Sequence, residues 1–318
     1  MTRPIAKPAH DSVRPRRRQG SSPLFRTTLA LALVVTCILA TPVVLHAVRV
    51  HLAPPVVRSA SDGGLVSGQV ALAGLASGAC VSYSPNGAHN GKTVFIDPGH
   101  GGLDPGVVGT VGGRQVLEKD VALGVGTRLG ELLRTDGYRV VLSRTGDTSV
   151  TRLDANDSVT GAMTASAVQR DLVTRAACAN AASSSVLLSI HFNAFDDPAV
   201  AGAETFYDAA RPFSGSNKQL ADDLQSALVA ELGVPDRGAW TDDGVGTALT
   251  TEGVVYDHLV VLGPKASGYV DEPSQMPGAL VEPMFLTNPD EARFAATSGG
   301  QQRVASALRT GLEKYFSG

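Results

Sequence analysis

Beyond residue 92 the chain switches repeatedly between two hydrophobic periods, and this constrains the fold more than any other feature. Short apolar runs at 93–96, 138–143, 186–190, 203–207, 259–262 and 279–285 read as strands. The run 186–190, Val-Leu-Leu-Ser-Ile, is apolar enough to be buried on both faces. Between the runs, Val121, Val125, Leu129, Leu132 and Leu133 recur at helical spacing, and Leu220, Leu224, Leu228 and Leu232 do the same. They predict helices over 118–136 and 217–232, stopped by Gly137 and Gly233, and a closing helix is expected over 301–316. Strands alternating with helices predict an α/β fold. It is a single three-layer domain over 92–318, with a mostly parallel sheet covered by helices on both faces. No internal repeat is present.

The first 91 residues read differently. Residues 1–26 carry seven basic side chains against one acid, Asp11, for a net charge of +6. The whole chain has −3, so the remainder carries −9. A body that acidic cannot neutralise a phosphate backbone, and nucleic acid is excluded as a partner. Residues 27–48 form an uncharged apolar run, long enough at ~1.5 Å per residue to span a hydrocarbon core of ~30 Å. The upstream positives place the N-terminus in the cytoplasm and the body outside. The run exceeds a usual signal-peptide core, and Leu45-His46-Ala47 is a poor cleavage site, which favours a signal anchor over a cleaved signal peptide. Residues 49–91, rich in Pro, Ser and Gly, are expected to be a linker.

In an open α/β sheet, ligands bind beyond the carboxyl ends of the strands. The run 93–96 leads into Asp97-Pro98-Gly99-His100-Gly101-Gly102, and the run 186–190 leads directly into His191. His10 is cytoplasmic, and His46 and His51 lie at the membrane, leaving His89, His100, His191 and His258 for a site in the body. A histidine after a strand is, alone, more often structural than a ligand. Two of them at strand ends, one in a glycine-rich turn, strengthen the functional reading. Glu118 opens a helix, where the dipole alone could favour an acid. With His100 and His191 it would give two imidazoles and one carboxylate, the ligand pattern of a hydrolytic zinc site with an open fourth position. Glu282 sits in an apolar strand, where an acid is costly unless paired or protonated, so it reads as a catalytic base. Glu204 is the rival acid.

Several separated motifs resemble, in order, the zinc-dependent N-acetylmuramoyl-L-alanine amidases of cell-wall turnover. They are V-F-I-D-P-G-H-G-G-L-D-P-G at 94–106, L-E-K-D at 117–120, S-R-T-G-D at 143–147 and R-A-A-C-A-N at 175–180. L-S-I-H-F-N-A at 188–194, G-A-E-T-F-Y at 202–207 and M-P-G-A-L-V-E-P-M-F-L-T-N at 276–288 complete the set. The resemblance implies His100, Glu118 and His191 as ligands of one zinc per chain and Glu282 as the catalytic acid/base. Asn193 and Glu204 fall to substrate-facing or supporting positions. It implies hydrolysis of the amide between N-acetylmuramic acid and L-alanine of the stem peptide, on peptidoglycan or muropeptides outside the cell membrane. A zinc peptidase of stem-peptide bonds and an inactive wall-binding module are the rival readings. Products separate the first, and metal content with turnover separates the second.

Four further expectations follow. Cys37 lies in the apolar run, so Cys80 and Cys178, in an oxidising compartment, are expected to form a disulfide. Pro283 cannot donate to a ladder, which predicts a sheet edge or a bend beside Glu282. The polar stretch 146–171 is read as a long loop, either a groove wall or an insertion. Some members of the resembled family carry an inhibitory helix after the G-A-E-T-F-Y strand. Here only 208–216 separate that strand from the next helix, so no obligatory activator is expected; the chain is also expected to be a monomer.

Overall fold

The structure, a computed structural model, describes residues 67–250 and 253–318. The basic tail, the apolar run 27–48 and the linker up to residue 66 lie outside the described residues. Among the described residues no helix is long and apolar enough to cross a membrane.

Eight strands form one sheet: β1 (Ser67–Gln69), β2 (Ala79–Tyr83), β3 (Thr93–Pro98), β4 (Arg139–Arg144), β5 (Val186–Ile190), β6 (Ala203–Tyr207), β7 (Asp236–Thr241) and β8 (Gly278–Glu282). Their spatial order is β1-β2-β4-β3-β5-β8-β6-β7. The four central strands β4, β3, β5 and β8 are mutually parallel. On one flank β2 runs against β4, and on the other β6 runs against β8 with β7 parallel to it. Alternation along the central strands sorts their side chains between two cores. Val94, Ile96, Val140, Leu142, Leu188, Ile190 and Val281 face one side, while Phe95, Val141, Leu187 and Leu280 face the other. Three helices, α1 (Glu118–Thr135), α3 (Ser214–Leu232) and α5 (Ser298–Ser317), cover the first side through Val125, Leu129, Leu224 and Leu308. The second is covered by α2 (Ala165–Ala181) and by Val261, Leu262 and Met276. The three-layer α/β architecture expected from the sequence is therefore present; the sheet is parallel at four of its seven strand pairings and antiparallel at the other three.

Several local expectations are corrected. The stretch 67–91 is not all linker, because β1 and β2 extend the sheet within it. Their residues, Ser-Gly-Gln and Ala-Cys-Val-Ser-Tyr, lack a long apolar run because they build a flank. The stretch 146–171 is not a structureless loop. It holds a hairpin (158–159 with 162–163) and the first turns of α2, whose N-terminus is capped by the Thr164 side chain accepting from Ala167 N–H. The buried face of α2 is made of alanines, Cys178 and the charged Asp171 and Arg175, so its period is faint in the sequence. Residues 259–262 turn back on themselves, with Leu262 and Gly263 N–H both donating to Leu259 C=O, and pack over the sheet instead of joining it. The edge strand β7 and the short helix α4 (Pro289–Ala295) were not expected. Asp-Arg-Gly-Ala-Trp-Thr in β7 is half-exposed and carries no apolar alternation to read.

Cys80 in β2 and Cys178 in α2 are joined by a disulfide, their Cα atoms 5.9 Å apart and 98 residues apart in sequence. A loop of that length corresponds to ~4–5 kcal/mol in the chain-entropy account. The bond fixes the flank strand to the helix that covers the second face.

Candidate metal centre and active site

The parallel centre of the sheet puts the ends of β3, β5 and β8 at one edge, and β3 turns there through an unusual backbone. His100 has φ 61, a left-handed conformation that a non-glycine residue holds only under constraint. Two buried arginines supply the constraint. Arg144 donates from Nε to Pro98 C=O (3.0 Å) and from Nη2 to Gly99 C=O (2.8 Å) and Lys119 C=O (2.6 Å). Arg175 donates to Pro98 C=O (3.0 Å) and His100 C=O (2.7 Å), while pairing with Asp97 (2.7 Å) and Asp171 (2.8 Å). The second carboxylate oxygen of Asp97 accepts from Ser189 Oγ, which explains the one hydroxyl in the otherwise apolar β5. Asp171 also accepts from Val150 and Thr151 N–H, so the 146–171 stretch buttresses this turn from behind. The S-R-T-G-D and R-A-A-C-A-N motifs thus gain a physical role: their arginines hold the His100 turn.

An Arg175→Met variant tests that role. It leaves Asp97 and Asp171 buried without their cation, a loss expected to cost ~3–5 kcal/mol. Urea unfolding monitored by circular dichroism would measure it, and a change under ~1 kcal/mol would show that the turn stands without the arginine.

Around this turn the structure brings His100, Glu118 and His191 together, with potential ligand atoms all within 4.8 Å of one another. His100 Nε2 and His191 Nδ1 each lie 3.0 Å from Glu118 Oε1, and the two nitrogens are 3.1 Å apart. A tetrahedral zinc with bonds of ~2.0–2.2 Å separates its ligand atoms by about 3.4 Å, so a small outward movement fits the ion. Glycines make the space. A Cβ on Gly99 would collide with the His191 ring, and one on Gly106 would collide with Glu118 and His100. Orientation is fixed from outside the cluster. Asp104 Oδ2 lies 2.8 Å from His100 Nδ1, which places that ring's proton on Nδ1 and leaves Nε2 free to ligate. Val107 N–H donates to Glu118 Oε2 (2.7 Å) and Phe192 N–H to Oε1 (2.9 Å). Burial opposes the charged form of His100, but Glu118 and Asp104 outweigh it and hold its pKa well above the usual histidine value. Burial likewise opposes ionisation of Glu118, and the two histidines more than offset it, so its carboxyl lies below the usual range. The residue set, two imidazoles and one carboxylate, suits zinc.

Glu282 ends β8, paired across the antiparallel step with Glu204 at the start of β6. The reversal of β6 is what brings Glu204, near its start, to the edge where the central strands end. The two acids are held differently. Glu204 accepts from Asn193 Nδ2 (2.7 Å) and from Arg237 Nε (2.8 Å). Glu282 Oε2 is buried with no hydrogen-bond partner among the described residues. Burial raises the Glu282 pKa well above the usual carboxylate value, and the charges of Glu118 and Glu204 push it the same way against His100.

Pro283 does not mark a sheet edge, since β8 lies between β5 and β6. It marks a bulge. His191 and Asn193 N–H, two residues apart, donate to Val281 and Met284 C=O, three apart. The extra residue on the β8 side absorbs the proline, which has no N–H to give.

Sequence reasoning missed Asp104, Arg144, Arg175 and Arg237. Asp104 was within reach, lying in the same glycine-rich motif four residues after His100. Arg237 was not, because β7 itself went unread.

Several known proteins are similar to this chain. The amidase LytC of Bacillus subtilis is 32% identical over 226 residues, which cover 71% of this chain and 36% of LytC, so the chain spans about a third of that relative. The crystal structure of an N-acetylmuramoyl-L-alanine amidase from Clostridium difficile 630 superposes with a TM-score of 0.52 at 29% identity, covering 72% of this chain and 98% of that one. The CwlD amidase of Clostridioides difficile, solved in complex with the GerS lipoprotein, gives 0.54 at 25% identity, covering 71% and 98%. The sequence model of the N-acetylmuramoyl-L-alanine amidase family matches residues 94–314, the stretch that holds every residue of the site, and the chain belongs to that family.

Proposed function

We propose that this chain is a zinc-dependent peptidoglycan hydrolase that cleaves the amide between the lactyl group of N-acetylmuramic acid and L-alanine of the stem peptide. The observation that carries the reading is the unpartnered, buried Oε2 of Glu282 beside the His100–Glu118–His191 cluster. Held by those three residues, zinc would supply Lewis acidity toward the amide carbonyl and a water acidified toward neutrality. Asp104 keeps the His100 proton on Nδ1, and Phe192 and Val107 N–H fix the Glu118 carboxylate. Glu282 accepts the proton of the attacking water at Oε2 and returns it to the departing amine nitrogen of L-alanine. Glu204, already engaged by Asn193 and Arg237, is poorly placed for that transfer and instead shapes the groove wall beside Glu282.

The domain acts outside the cell membrane, tethered through residues 27–48, as a monomer and without an obligatory activator. Only Asp208 to Phe213 separate β6 from α3, fewer residues than the sequence suggested, and an inhibitory helix needs more. The GerS lipoprotein in the CwlD structure is a partner of that protein.

Mass spectrometry of one digested muropeptide decides the reaction. Release of the intact stem peptide with a free L-alanine amine, from zinc-loaded protein with no partner added, is the expected result. A cut within the stem peptide would make the enzyme a peptidase. Silence until a second protein is supplied would establish an activator.

A further inference from the structure

A second cluster lies at the opposite end of the flank strands. Because β6 and β7 are parallel and Tyr207 pairs with Thr241, the residues that follow each strand emerge side by side. They are Asp208 and Asp242, both fully buried, and His258 from the turn after Tyr256 lies against them. Each carboxylate has one oxygen fixed by backbone: Ala210 N–H donates to Asp208 Oδ1 (2.7 Å) and Leu259 N–H to Asp242 Oδ2 (2.9 Å). Among the described residues the other two oxygens, Asp208 Oδ2 and Asp242 Oδ1, have no partner in hydrogen-bond geometry, and neither does His258 Nδ1. These three atoms face one another. Nδ1 is 2.9 Å from Asp208 Oδ2 and 3.5 Å from Asp242 Oδ1, with Asp243 Oδ1 at 3.9 Å as a more exposed fourth donor.

Two buried carboxylates aimed at one point repel each other unless something positive lies between them. Among the described residues, Arg211 feels the Asp208 charge but donates to the carbonyls of Gly263 and Ser274 and to neither carboxylate, which leaves His258, positive only when protonated, as the basic group against the pair. The spacings of 2.9 and 3.5 Å bracket the roughly 3.4 Å between ligand atoms in a tetrahedral zinc site. An imidazole nitrogen in the set favours a transition-series ion over calcium or magnesium, which prefer oxygen alone.

We propose that Asp208, Asp242 and His258 form a second, structural divalent-metal site, which takes zinc or a similar borderline cation and pins the turn that carries His258 to the ends of β6 and β7. The site is independent of the hydrolytic one and raises the expected metal content from one per chain to two. Gly263 supports this packing, since a Cβ there would collide with His258 Cβ and the Tyr256 hydroxyl.

The test is metal stoichiometry on the full chain, loaded with zinc sulfate, dialysed and analysed by plasma mass spectrometry. Wild type should hold two zinc ions per chain, His258→Ala and His100→Ala one each, and the double variant none. A wild type with one ion that His100→Ala removes and His258→Ala keeps would overturn the proposal. Asp242→Asn guards against misfolding of the histidine variant. In a His100→Ala background, a zinc chelator should lower the melting temperature, and adding Asp242→Asn should abolish that chelator response. A melting temperature indifferent to chelator before Asp242 is changed would also overturn it, because buried carboxylates that merely share a proton need no ion.

Discussion

A His191→Ala variant is expected to lose one zinc per chain and to fall to background amidase activity. Among the described residues three side chains converge on the site, so removing Nδ1 leaves two ligands and an open, hydrated position. The lost Lewis acidity is worth several kcal/mol of barrier, which corresponds to at least ~10³-fold in rate. The fold should survive. The His191 ring rests on Gly99 at the edge of the sheet, and the two apolar cores are built from other residues. Metal analysis paired with turnover on a muropeptide measures both consequences. Unchanged zinc content would show that the ligands lie elsewhere.

Glu282→Gln separates base from ligand. The change is nearly isosteric and removes the carboxylate at a position where Oε2 has no hydrogen bond to lose. Zinc content and melting temperature should therefore stay close to wild type, while kcat falls by ~10²–10⁴-fold, the usual range for a general base. KM should change little, because the lost interaction is made in the transition state. If kcat stays near normal, the proton passes through another acid, and Glu204→Gln becomes the informative variant.

What the sequence made legible follows from burial and period. The apolar runs of β3, β5 and β8 announce themselves because both faces are buried, and their ends then point to His100, His191 and Glu282. Glu118 was readable as the first residue of a strongly periodic helix. The supporting parts were hidden for definite reasons. Arg144 and Arg175 are 0% and 2% exposed, and nothing in a string of letters separates a buried arginine from a solvated one. The helix α2 buries alanines where a leucine stripe would have shown. The flank strands β1, β2 and β7 are short or half-exposed and lack alternation. The bulge at Pro283 was half-visible: proline demanded an interruption, but only the pairing of β5 with β8 shows that the interruption adds a residue.

The reversed β6 has a consequence for how recovered material should be judged. Its first turn of pairing sets Glu204 opposite Glu282, and each residue along a strand advances ~3.3 Å. A two-residue slip of β6 would preserve which face each side chain occupies, and with it most of the apolar packing. The same slip would carry Glu204, with its hold on Asn193, about 6.6 Å along the groove. Circular dichroism would count the same strand content before and after. Turnover on a muropeptide would not be the same, so specific activity serves as a register gauge for protein refolded from inclusion bodies.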